Sequence, residues 1–230
     1  MILGSIYGQV PLDTSLDQIR LFVLLPDESD VELRGNLTAT SLSGDEPYEA
    51  LSYMWGPSSN LQTTNLGIEK LPITANLAIA LKTLRSPQRS RVLWIDAICI
   101  DQSNFDERGS QVQLMRQICR RATQVVVWIN HQIPPEDFAL PTLNTLSKDS
   151  VKKALIDIEI WGSLRPLFKD AYWTRVWIQQ EISMAARLTF QFGETTISAY
   201  NMFHLFRLFE DRRWTLYSTI HLGMTGLITI

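Results

Sequence analysis

Residues Arg91–Ile100, RVLWIDAICI, decide the fold. Apolar side chains fall on both faces of this run, as in a central strand of a parallel sheet covered on each side. Gln124–Ile129, QVVVWI, has the same two-faced character, and Tyr48–Tyr53, YEALSY, is a shorter version that runs into the turn signal Trp55-Gly56-Pro57. Working outward, Thr74 caps a helix with Leu77, Leu81 and Leu84 on one face, and Pro87 stops it. The loop Asp101–Asn104 leads into a second helix over 107–122, with Val112, Met115, Cys119 and Ala122 as its stripe and Leu114 and Ile118 widening it. Further on, helical patterns cover 150–161, 172–186 and 198–210, with a strand over 188–193. Strands and helices thus alternate. The expectation is an α/β fold, a parallel sheet with helices on both faces. Residues 18–25 and 31–42 add an N-terminal β-hairpin around Pro26-Asp27, and 61–73 a small β excursion around Gly67.

The chain has 230 residues, 45% hydrophobic and 20% charged, enough apolar sequence for one large domain with a real core. A net charge of −3 gives no electrostatic case for nucleic acid or an acidic membrane. Two cysteines, Cys99 and Cys119, sit in apolar patterns and read as buried small hydrophobes in a reducing, cytoplasmic setting. With three histidines and no metal-ligand spacing, no metal site is expected. The first residues lack the pattern of a signal peptide. Trp214–Ile230 carries no charge but is interrupted by glycines and short for a bilayer span, so it reads as core sequence whose continuation is missing.

The segment Tyr172–Ile182, YWTRVWIQQEI, raises the chemical question. On one continuous helix Trp173, Val176, Trp177, Ile178, Ile182 and Met184 form a wide apolar arc, with Glu181 at its middle and Gln180 beside it. Burying a carboxylate is costly unless it is paired or does chemistry. Arg175 points away from the arc, as a surface charge or a partner for an acid elsewhere. Ligands in open α/β sheets bind beyond the carboxyl ends of the strands. That rule selects Trp55 and Gly56, then Asp96, Asp101 and Gln102, then Asn130 and His131. Asp96 alternates onto the face of Trp94 and Ile98 and is expected to be buried, whether as a loop cap, an arginine partner or a ligand contact. Asp101 suits a loop or helix entry. Glu107 and Arg108 open a helix, where an acid meets the positive dipole end. Trp55, Trp128 and Trp177 read as core more readily than as stacking residues. No glycine-rich dinucleotide fingerprint, phosphate loop or serine nucleophile elbow occurs.

Four blocks, Tyr48–Gly56 (YEALSYMWG), Leu93–Gln102 (LWIDAICIDQ), Glu107-Arg108 with Gln111–Met115, and Arg175–Glu181 (RVWIQQE), resemble the heterokaryon incompatibility (HET) domain in order and spacing. They place such a domain over 48–212, with an N-terminal β extension over 1–47 and a truncated continuation over 213–230. Asp101 departs from the family, which usually has Asn there. The resemblance implies a fungal module that signals non-self recognition and programmed cell death, acting with protein partners or by self-association. A more distant similarity to TIR domains, known in innate immunity, implies their flavodoxin-like order of strands and helices and bears on mechanism. Those that cleave NAD carry a Trp-Cys-x-x-Glu-Leu block, and Trp177 and Glu181 have its spacing, with Ile178 at the Cys position. By that similarity Glu181 is the catalytic residue, stabilising an oxocarbenium-like transition state, NAD a substrate rather than a cofactor, and Trp55 or Trp177 a stacking platform. Alongside stand a non-enzymatic module, in which Glu181 and Gln180 belong to a buried polar network, and a truncated, inactive paralogue.

Overall fold

The computed structural model describes residues 6–28, 32–67, 69–130 and 167–211. The helix expected over 150–161, His131 and the segment 213–230 lie outside the described residues. Among the described residues nine strands form a single sheet: β1 Gln18–Leu24, β2 Arg34–Ser41, β3 Glu49–Tyr53, β4 Leu61–Leu66, β5 Glu69–Thr74, β6 Arg91–Trp94, β7 Gln124–Ile129, β8 Leu188–Phe192 and β9 Thr195–Ser198. The helices are α1 Ile6–Gln9, α2 Ala75–Leu84, α3 Asp96–Cys99, α4 Phe105–Arg121, α5 Ile178–Ser183 and α6 Ala199–Asp211.

The spatial order is β5-β4-β2-β1-β6-β3-β7-β8-β9. Its centre, β6-β3-β7-β8, is parallel throughout. By order of appearance in the chain these four run 2-1-3-4, the flavodoxin-like arrangement. Ala50–Tyr53 and Val125–Ile129 are buried at consecutive positions, so both faces of the parallel block are covered. Antiparallel strands flank the block. On one side the β1–β2 hairpin joins the same sheet, with Gln18 opposite Ser41 on β2 and Phe22 opposite Leu93 on β6. Gly35 is required in that hairpin: a Cβ there would lie 2.2 Å from the Phe22 ring and 2.7 Å from the Val23 carbonyl. The β4–β5 excursion turns at Gly67 (φ 59°) and lies parallel to β2 through Gly35 and Leu66.

The Thr74 hydroxyl accepts from the Leu77 N–H, and α2 buries Leu77, Leu81 and Leu84. Asn104 caps α4 by accepting from the Glu107 N–H. Acids in the first turn of α4 and Arg120 and Arg121 in the last match the helix dipole. Its buried stripe runs Glu107, Gln111, Met115, Ile118 and Cys119, so two polar side chains extend the apolar face. One core cluster lies between β1, β3, β6, α2 and α4. A second, aromatic cluster joins Trp173, Tyr172 and Phe206 to Val127, Ile129 and Phe190.

Two expected elements are cut short, and both cuts shape the site. The strand expected to reach Ile100 ends at Trp94, and Asp96–Cys99 forms a helical turn. The Asp96 carboxylate accepts from the Ala97 N–H, and the Ile98 and Cys99 N–H groups turn back to the Ile95 carbonyl. Ile95, Ile98, Cys99 and Ile100 are buried in either geometry, which is why periodicity read a strand. The helix expected over 172–186 is also broken. Asp170 caps a 3-10 turn over Ala171–Thr174, Arg175 is extended (φ −70°, ψ 133°), and α5 starts at Ile178. Thr174 Oγ1 donates to the Ala171 carbonyl, and the Trp173 indole donates to the Leu167 carbonyl. These bonds fix the first turn in its own orientation, and β-branched Thr174 and Val176 do little to continue it.

Candidate functional site

The break at Arg175 undoes the single arc. Val176 is 82% exposed and Trp177 43%, Gln180 is exposed, and Glu181 is 5% exposed. Arg175, expected to point away, turns inward. Its two terminal nitrogens each donate to one Glu181 carboxylate oxygen at 3.1 Å, a bidentate pair. Ser52, on β3, donates to the same carboxylate and shares a 2.6 Å bond with the Tyr172 hydroxyl. The Arg175 guanidinium sits 5.7 Å from the Tyr172 ring centroid. Burial opposes the Arg175 charge, but Glu181, with Tyr172 and Asp96, outweighs it and raises its pKa. Burial, then Glu181, pushes the Tyr172 phenol well above its ordinary range, so its proton stays in the network. Ser52 and Tyr172 were not singled out by sequence reasoning. Ser52 interrupts the buried run Ala50–Tyr53 of β3 with a hydroxyl, and that was the available signal.

A cleft of about 300 Å³ opens beyond the carboxyl ends of β3 and β6. Trp55, Asp96, Gln102, Arg108, Arg175 and Trp177 line it, with Met115 and Ile100 among its apolar walls. Glu181 does not line it; Arg175 stands between. Trp55 is 39% exposed, so it and Trp177 are cleft residues, unlike Trp128, which is core. The Trp55 indole N–H donates to Asp96 at 2.8 Å. Gly56 follows with φ 73°, a left-handed turn that suits glycine and sets Trp55 at the strand end. Asp96, which sequence alternation had placed among the apolar face of a strand, instead opens α3 and is partly buried at the cleft. Desolvation, then the nearby Glu181 charge, raises its pKa to about 6. Among the described residues it has no salt-bridge partner. The Tyr53 hydroxyl, buried near the same charges, has no hydrogen-bond partner among the described residues.

The loop carrying these groups is anchored from below. Gln102 donates to the Asp96 carbonyl, and Asp101 accepts from Ser103 while its N–H donates to Glu107. Glu107 does more than complement the α4 dipole. It forms a buried bidentate pair with Arg20 at 2.6 and 3.0 Å, and Arg20 also donates to the Val10 and Cys99 carbonyls beneath the Tyr7 ring. Gln111 donates to the Gln18 carbonyl. Arg108 is exposed at the cleft, its guanidinium over the Phe105 ring. Glu107 and Gln111 are therefore structural clasps, whereas Trp55, Asp96, Gln102, Arg108, Arg175 and Trp177 share one cleft. Asn130 belongs to a second crevice, of about 330 Å³, at the ends of β3 and β7, where it donates to Asn76.

Among the described residues, no group of three or more His, Cys, Asp or Glu is placed to hold a metal ion. In the same residues no helix is long and apolar enough to cross a membrane. No solved structure matches the chain. The chain is 30% identical over 180 residues to heterokaryon incompatibility protein 6, OR allele, from Neurospora crassa; the match covers 71% of this chain and 26% of that protein. This chain thus spans about a quarter of that relative's length. The family model for heterokaryon incompatibility protein (HET) matches residues 48–181, from the Tyr48 block at the entry to β3 through Glu181 in α5. That span holds the strand ends, the cleft and the Arg175–Glu181 pair, and the chain belongs to the heterokaryon incompatibility (HET) family.

Proposed function

We propose that this chain is a signalling module of heterokaryon incompatibility, coupling non-self recognition to programmed cell death in the cytoplasm. It acts through protein contacts, copies of itself included, rather than through bond cleavage at Glu181. One observation carries the second statement. The Glu181 carboxylate is withdrawn from the cleft, with both oxygens held by Arg175 and one of them also by Ser52. A carboxylate that stabilises a developing cation must face the reacting atoms. This one faces an arginine, and the arrangement is a satisfied buried network.

A second reading, TIR-like cleavage of NAD, is favoured by the cleft itself. It lies where open α/β sheets bind ligands, and Arg175 is at once its wall and the Glu181 partner. Catalysis by Glu181 would require Arg175 to leave the carboxylate for a ligand anion. The test is nicotinamide release from NAD by the purified wild type, Glu181→Gln and Arg175→Met. The signalling reading expects no release above the buffer rate from any of the three. Release by the wild type that Glu181→Gln abolishes would overturn it in favour of the nucleosidase.

A further inference from the structure

We propose that the cleft beyond β3 and β6 binds a nucleoside monophosphate, with Asp96 accepting the ribose hydroxyls and Arg108 meeting the phosphate. The assignment concerns binding alone and stands whether or not any bond is cleaved.

Asp96 is the starting point. Among the described residues the buried carboxylates Glu107 and Glu181 have cations, Arg20 and Arg175, whereas Asp96 is partly buried. Asp96 has an indole N–H and a backbone N–H, and no cation in direct contact among the described residues. Two accepted bonds leave about half of a carboxylate's acceptor sites open. Asp96 lines the cleft, so a ligand there can reach its remaining acceptor sites.

Position points to the ligand class. Asp96 follows β6, the second strand of the parallel block, by two residues. Ligands of doubly wound sheets bind beyond the carboxyl ends of the strands, and in the dinucleotide-binding ones an acid takes a ribose hydroxyl there; Asp96 offers the same chemistry without their glycine-rich turn. The remaining walls supply what the rest of a nucleotide needs. Two partly exposed indoles, Trp55 and Trp177, offer flat apolar surface to a base. Arg108 is exposed at the cleft and has no carboxylate partner among the described salt bridges, so its charge is available to a phosphate. A cleft of about 300 Å³ lies at the small end of ligand sites and suits a mononucleotide better than a dinucleotide. A purely cationic ligand is disfavoured by two arginines in the same walls, and a simple anion by Asp96.

The experiment is calorimetric titration of the purified chain with adenosine, guanosine, cytidine and uridine 5′-monophosphates. Tryptophan fluorescence gives a second readout. The expected result is saturable binding of at least one of these, with quenching of Trp55 or Trp177 emission. Its 2′,3′-dideoxy form should bind at least about tenfold more weakly, the size of a lost hydrogen bond to a charged group. Asp96→Asn should weaken the parent ligand by a similar factor and leave the dideoxy form unchanged. Arg108→Gln should weaken the monophosphate toward the affinity of the free nucleoside. The dideoxy comparison uses the wild-type protein, so a folding defect in a variant does not affect it. Absence of binding by all four at millimolar concentration overturns the proposal, as does equal binding of parent and dideoxy forms. Saturable binding of methyl glucoside in place of the nucleotides also overturns it. NAD consumption is measured separately, so failure here is distinguishable from failure of the signalling reading.

Discussion

Replacing Arg175 by Met tests whether Glu181 is held as part of the fold. The side chains of the pair are 13% and 6% exposed, and the arginine makes both of its bonds to the carboxylate at 3.1 Å. Met keeps the apolar stem and removes the charge. Glu181, 5% exposed, then retains Ser52 as its partner. Breaking one side of a buried pair costs about 3–5 kcal/mol. Because Arg175 borders the cleft and water can follow it in, the lower end, roughly 3 kcal/mol, applies here.

Glu181→Gln alone is milder, about 1–2 kcal/mol, since the amide keeps an acceptor and Arg175 can turn into the cleft. The double variant removes both charges together and should cost roughly 2 kcal/mol, well below the sum of the singles. The assay is urea unfolding at pH 7, followed by tryptophan fluorescence and far-ultraviolet circular dichroism, with melting as a check. A loss of about 3 kcal/mol lowers the melting temperature of a chain this size by roughly 10 °C. Additivity of the two singles within about 0.5 kcal/mol would refute the coupling. So would an Arg175→Met protein as stable as the wild type, because the carboxylate would then not depend on its cation.

The Asp96 pKa of about 6 against an ordinary 3.8 means the folded protein binds the proton more tightly than the unfolded chain. Stability from this group is therefore present at low pH and lost as pH rises from about 4 through about 6, by a few kcal/mol at most. Asp96→Asn should gain stability relative to wild type across that window, read from urea midpoints at pH 4, 5, 6 and 7; a constant difference would contradict the shift. Glu107→Ala strands the Arg20 guanidinium, 1% exposed, and should cost about 3–5 kcal/mol in the same unfolding assay, while Arg20→Met with Glu107→Leu should recover much of it. Recovery of nothing would mean that the pair is not the source of the loss. Gly35→Ala drives a methyl into Phe22 and the Val23 carbonyl and should cost about 1–3 kcal/mol; a neutral result would mean that the hairpin can splay at this point.

What the sequence disclosed followed the range of the interaction. The parallel strands were legible because Leu51 and Val126 announce burial on both faces without naming a neighbour. The cap at Thr74 was legible because partner and cap lie three residues apart, whereas the entry to α4, expected at Asp101, is capped by Asn104. A fully buried strand shows that it has neighbours on both sides but not which they are. For that reason β1 read as half of a hairpin, although it also pairs with β6 some seventy residues away. Arg175 was misdirected for a related reason. No single helical period runs through a segment whose first turn is fixed by the Trp173 indole and its aromatic neighbours, and whose second answers to Glu181.

The acids make the same point more sharply. Patterning marks a carboxylate in an apolar setting, but its role depends on the partner, and the partner is often remote. Arg20 lies 87 residues before Glu107, and Ser52 lies 129 before Glu181. On periodicity alone Glu181 was the conspicuous acid and Glu107 the bland one. Geometry puts both in one class, buried charges neutralised at contact distance. Asp96 is the exception: its companions are dipoles, and its raised pKa records the desolvation they leave uncompensated. A fold gains nothing from that cost, whereas a ligand whose donors complete the carboxylate's bonds would recover it on binding. By that reasoning the chemistry of this HET module is to be sought at Asp96 before Glu181.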